Sequence, residues 1–63
     1  MTKPELAAEI CRVAQEMINL GSQMDYFGGF DSEIATHGRE MVGAGMIAQQ
    51  WAEEIEKNIA GEK

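Results

Sequence analysis

The chain has little that would narrow its chemistry. One cysteine among 63 residues excludes an internal disulfide and a multi-cysteine zinc site. Basic residues are few. Five Lys+Arg stand against 11 Asp+Glu, for a formal net charge of −6. That balance argues against a phosphate-backbone binder, which needs a basic face to displace counterions. No apolar run approaches the roughly 20 residues of a membrane span. No basic segment followed by an apolar stretch marks a secretory signal. There is no G-x-S-x-G, no glycine-rich phosphate loop and no carboxylate pair with an evident cleft. The expectation is one acidic, soluble domain in the cytoplasm, with no catalytic residues, no cofactor and no metal.

What is present reads as two helices. Thr2 as N-cap and Glu5 three residues later form a capping box, and Pro4 lies in the tolerated first turn. Apolar residues then recur at Leu6, Ile10, Val13, Met17, Leu20, Met24 and Phe27. The spacing alternates four and three, which is a heptad seam. Gly21 costs about 1 kcal/mol of helix propensity relative to Ala, yet the period runs on through it. Gly28-Gly29 is the stronger stop. The first helix is therefore expected over about 3–27 and the turn over 28–31.

Asp31 or Ser32 caps the next helix, and Glu33 suits its positive end. Phe30 is placed to close a hydrophobic staple onto Ile34 or Ala35. A second seam follows: Ile34, Gly38, Met41, Gly45, Ala48, Ala52, Ile55 and Ile59. The second helix is expected over about 32–59, with residues 60–63 fraying. Strand signals and internal repeats are absent.

A Gly-Gly turn between two seams implies an all-α, antiparallel two-helix hairpin. Folding about the turn sets Gly21 near Gly38, Val13 and Ala14 near Gly45, Ile10 near Ala48, and Leu6 near Ala52. Helix one then supplies bulk and helix two supplies small residues, as interdigitating layers require. The competing reading is that Gly43 and Gly45 merely loosen the helix.

The apolar arcs are wider than one hairpin buries. Helix one adds Ala7, Cys11, Ala14 and Ile18 beside its seam. Helix two adds Ala35, Val42 and Met46 on one side and Ala44, Ile47 and Trp51 on the other. Exposed patches of this kind mark interaction surfaces. A second copy related by a two-fold axis would turn two hairpins into a four-helix bundle. Cys11, Ile18, Val42, Met46, Ile47 and Trp51 are the candidate dimer or partner residues. Peripheral apolar side chains with no partner are the plainer reading. The energy balance favours association. Burial worth about 90 kcal/mol meets an ordering cost of about 95 kcal/mol.

His37 is the single histidine, with Glu33 and Glu40 at helical spacing. A metal site needs further converging ligands, and the Glu-x-x-His pairs of di-iron bundles are missing. Cys11 reads as a small apolar residue, having no basic neighbour on its face. Glu53, Glu54 and Glu56 make the end of helix two acidic, either as a solvated face or as a dock for a basic protein.

Residues 8–35, AEICRVAQEMINLGSQMDYFGGFDSEIA, and 37–57, HGREMVGAGMIAQQWAEEIEK, resemble the small early proteins of the exo–xis region of lambdoid bacteriophages. The resemblance covers most of the chain and contains no catalytic signature. It implies expression early in infection or prophage induction, in the host bacterial cytoplasm. It also implies influence on the host cell cycle or on the lysis–lysogeny balance. It supplies no binding residues. The expected function is non-enzymatic regulation through contact with an unidentified host or phage protein, and with itself. The alternative is a small DNA-binding regulator with a helix-turn-helix unit, which two long helices and an acidic chain disfavour. A metal-dependent enzyme is a third class.

Overall fold

The computed structural model describes the backbone of residues 1–29 and 32–61, and the side chains of 1–29 and 33–58. It is an antiparallel helical hairpin of α1 (Lys3–Gly28) and α2 (Ser32–Gly61), packed along their lengths. The molecule measures 52 × 16 × 12 Å, a single layer of two helices.

The start of α1 follows from its cap. Thr2 has extended backbone, and its hydroxyl accepts from the Glu5 amide at 3.3 Å. The same hydroxyl donates to Glu5 Oε1 at 2.9 Å, and the Leu6 amide bonds to the Thr2 carbonyl at 2.9 Å. Three polar groups of the first turn are thus satisfied locally. At the other end Gly29 takes φ +50°, a backbone region that favours glycine. The expected caps at Asp31 and Ser32 and the staple from Phe30 lie outside the described residues or side chains. So do the Ile59 side chain and the fraying of residues 60–63.

α2 turns the expected seam inward from Gly38 on, while Ile34, at its start, is exposed. Gly38, Gly45 and Ala52 are buried, and Met41, Ala48 and Ile55 flank them half-buried. α1 does not. Its buried residues are Ala7, Ala14, Gly21 and Gly28, seven apart, with Ile10, Met17 and Met24 half-buried beside them. The expected bulk at Leu6, Val13, Leu20 and Phe27 lies outside the contact, each of them exposed. The predicted packing of large against small is therefore corrected: both helices supply small residues.

The reason is distance. A Cβ placed on Gly21 would lie 2.5 Å from the Gly38 carbonyl oxygen, and one on Gly38 would lie 2.5 Å from the Gly21 oxygen. A Cβ on Gly45 would lie 2.9 Å from the Ala14 oxygen, and one on Gly28 would lie 2.8 Å from the Ala35 amide nitrogen. Two columns of Gly and Ala let the backbones touch, and no large side chain fits between them. The predicted neighbours Gly21–Gly38 and Ala14–Gly45 are observed. Gly43 meets nothing within 4 Å, so its role is not in the contact.

Close packing of small residues leaves the hairpin without a core of large ones. The buried hydrophobic residues among those described are Ala7, Ala14, Ala35 and Ala52. The chain exposes 4773 Å², about 800 Å² more than the roughly 4,000 Å² expected of a compact protein of its mass.

Candidate interaction surface

Spacing along each helix sorts the remaining side chains onto two broad faces. Cys11, Gln15, Ile18, Ser22 and Asp25 fall three and four apart on α1. Arg39, Val42, Met46, Gln49 and Glu53 do so on α2. Contacts place these two rows side by side. Gln49 donates to Gln15 Oε1 at 3.4 Å, and Arg39 Nε donates to Asp25 Oδ1 at 3.1 Å. Ile18 and Val42 lie between them, each 2.8 Å from the Cβ that Gly45 or Gly21 would carry. This flank is the polar face. Near its open end is an open groove lined by Ala8, Cys11, Arg12, Gln15, Glu16 and Glu56.

The opposite flank carries the outward seams. On α1 it holds Leu6, Val13, Leu20 and Phe27, with Ile10, Met17 and Met24 shared with the inner contact. On α2 it holds Ile34, His37, Met41, Ala44, Ala48, Trp51 and Ile55, again three and four apart. Ile47 borders this row beside Ala44 and Trp51. Leu20 is 52% exposed and Trp51 56%. At the turn end Tyr26 and Phe27 meet edge to face, 5.2 Å between ring centres, and both are almost fully exposed. The result is one apolar face running the length of the hairpin.

The six residues singled out from the sequence divide between the two flanks. Cys11, Ile18, Val42 and Met46 fall on the polar face. Ile18 and Val42 pack within the hairpin, and Cys11 is exposed. Ile47 and Trp51 belong with the apolar face. Leu6, Val13, Leu20 and Phe27, expected inside from their hydrophobicity, are surface residues. The signal that corrects this expectation is the sevenfold repeat of small residues, Ala7, Ala14, Gly21 and Gly28.

The charged groups are solvent-facing. Arg12 bridges Glu9 and Glu16, the latter at 2.6 Å. The hydrogen bond from Arg12, and then its charge, hold the Glu9 carboxyl below its ordinary range. The same pairs hold the Arg12 guanidinium above its ordinary value. His37 Nδ1 lies 3.1 Å from Glu40 Oε1, both exposed. Among the described residues no group of three His, Cys, Asp or Glu is placed to hold a metal. Among them too, no helix is long and apolar enough to cross a membrane. No family model, curated protein or solved structure matches the chain.

Proposed function

We propose that this chain is a non-enzymatic regulator that works by binding other proteins through its helical surfaces. The observation that carries the reading is the apolar face. Two helices that pack through glycine and alanine leave most of their large side chains outside on one flank. A contiguous apolar surface of this kind is costly in water and marks a site of association. Its anchors, Leu6, Leu20, Phe27 and Trp51, are of the large apolar and aromatic kind that fills interface cores. The acidic residues Glu53, Glu54 and Glu56 add a charged rim at the open end, which steers a basic partner toward the hairpin.

The resemblance to early proteins of the exo–xis region of lambdoid bacteriophages gives this activity a setting. In that setting the protein acts in the bacterial cytoplasm during infection. There it shifts the host cell cycle or the choice between lysis and lysogeny by occupying a host or phage protein.

Affinity capture from host bacterial lysate, with and without nuclease and read by mass spectrometry, tests the proposal. The expected result is one protein enriched under both conditions and lost when Leu20 or Trp51 is replaced by a charged residue. Enrichment that disappears with nuclease would instead place the chain among nucleic-acid complexes.

A further inference from the structure

We propose that the outer edge of α2, around Ile47 and Trp51, docks a lysine- or arginine-rich amphipathic helix of another protein. The proposal deepens the reading above by naming the partner's chemistry. It rests on that reading in one respect, that the chain works by binding a protein.

Spacing defines the edge. Glu33, Glu40, Ile47 and Glu54 recur every seventh residue and fall in one row along α2. Glu40, Ile47 and Glu54 each stand two residues past the buried Gly38, Gly45 and Ala52, which turns them about 200° away from α1. Trp51 comes four residues after Ile47 and three before Glu54, so it neighbours both on the helix surface. Ile47 is 49% exposed and Trp51 56%. Two exposed apolar side chains thus lie between carboxylates on one strip of helix.

The charge on this strip has one sign. Three of the four residues in the row are glutamate, and none is lysine or arginine. Glu40 meets His37 Nδ1 at 3.1 Å. Among the described residues no ion pair to Lys57 or to any other cation engages Glu54. Arg12 is taken up by Glu9 and Glu16, and Arg39 by Asp25 on the polar flank.

The pattern specifies the occupant. Glu40, Ile47 and Glu54 follow one another at about 10 Å along the helix axis, two turns each. A helix that repeats basic, apolar and basic residues with the same period meets all three at once, as charged rows do beside a coiled-coil seam. Trp51 adds an aromatic face for a lysine or arginine head, one turn from the Glu54 carboxylate that pairs with the same head. Carboxylates on this edge repel a phosphate backbone. Two copies meeting edge to edge about Ile47 would set Glu40 against Glu54, which like charge opposes. The occupant is therefore a basic segment of a different protein.

Fluorescence anisotropy of a labelled synthetic peptide, titrated with the full chain at about 150 mM salt, tests this. The peptide is an amphipathic helix of about three heptads, with leucine on one row and lysine on the rows beside it. Its control carries glutamate in place of lysine. The lysine peptide is expected to bind with a Kd on the order of 10 µM and the glutamate peptide about tenfold or more weakly. Glu54→Lys is expected to weaken the lysine peptide by about tenfold or more, and Trp51→Ala by about tenfold. Glu53→Lys makes the same change of charge one residue away, in the row of the polar flank, and is expected to stay within about twofold of wild type. Circular dichroism checks that each variant is helical. Should E54K lose helicity, Glu54→Gln against Glu53→Gln keeps the comparison, with about threefold expected against no change.

No binding of the lysine peptide at about 200 µM chain overturns the proposal. Equal losses from E53K and E54K overturn it too, because they mean attraction to net charge alone. A protein captured from lysate in a way that depends on Leu20 and not on Glu54 overturns it and keeps the reading that the chain works by binding. A chain that takes neither peptide nor protein removes both.

Discussion

The two flanks of this hairpin are made by the same two helices, yet they are finished differently. On the polar flank each exposed row is tied to its neighbour by side-chain bonds, Gln15 to Gln49 and Asp25 to Arg39. Its apolar members, Ile18 and Val42, sit against the backbone of the facing helix beside Gly45 and Gly21. On the apolar flank Leu6, Val13, Leu20, Phe27 and Trp51 are exposed. The difference teaches that the helix–helix contact and the hydrophobic surface are separate devices here. Glycine and alanine set how close the helices come. Most of the large residues, denied a place between them, are gathered on one side, Ile18, Val42 and Met46 excepted.

The comparison breaks most severely if the helices are forced apart. Gly38→Leu puts a branched side chain where a Cβ alone would already lie 2.5 Å from the Gly21 oxygen. We expect a loss of about 3 kcal/mol or more in urea unfolding, at the upper end of overpacking effects. An unchanged midpoint would mean that the backbones do not touch. Leu20→Ala against Met46→Ala sharpens the contrast between flanks. The apolar-flank change should cost about 2 kcal/mol of partner binding, and the polar-flank change within about 0.5 kcal/mol. Equal losses would remove the distinction.

Gly43→Ala probes the helix away from the contact. With nothing within 4 Å of the new Cβ, the gain should approach the helix-propensity difference of about 1 kcal/mol, read as a rise in melting temperature. Arg39→Ala removes a tie across the polar flank. Both partners are partly exposed, so thermal unfolding should show a loss of under about 1 kcal/mol.

The smallest effect is electrostatic. Glu9 is held below its ordinary range by Arg12. Its contribution to stability is present at neutral pH and disappears as pH falls through its lowered folded-state value. In an NMR titration Arg12→Ala should return Glu9 to the ordinary carboxylate range.

Much of this fold is legible in the residues. Thr2 and Glu5 mark the start of α1, Gly28 and Gly29 its end, and the seam from Gly38 to Ile55 is the inner face of α2. The neighbours Gly21–Gly38 and Ala14–Gly45 follow from counting back from the turn. What misleads is α1. Two heptad rows lie one residue apart there, Leu6, Val13, Leu20 and Phe27 beside Ala7, Ala14, Gly21 and Gly28. Hydrophobicity favours the first row for the interior. Geometry favours the second, because a glycine column on α2 reaches its closest approach only against another small column. Burial of apolar area decides such a choice when a helix has one stripe. When it has two, the closeness of the backbones decides which faces the neighbour and which is left for something else. The sequence puts Val42 and Met46 on one side of helix two and Ile47 and Trp51 on the other, and the helices carry these pairs to different flanks, Cys11 and Ile18 joining the first.

The central claim is that the apolar flank is a surface for association and the polar flank is not. Trp51, the single tryptophan, reports on the first. An M46W, W51F variant reports on the second from the same chain. Fluorescence emission of both proteins, with and without the protein captured from lysate, compares the two directly. Trp51 is expected to emit to the red in the free chain and to move to the blue when that protein is added, while the indole of the M46W, W51F variant emits to the red throughout. Red emission from Trp51 with and without that protein, or an equal shift from both positions, would contradict it.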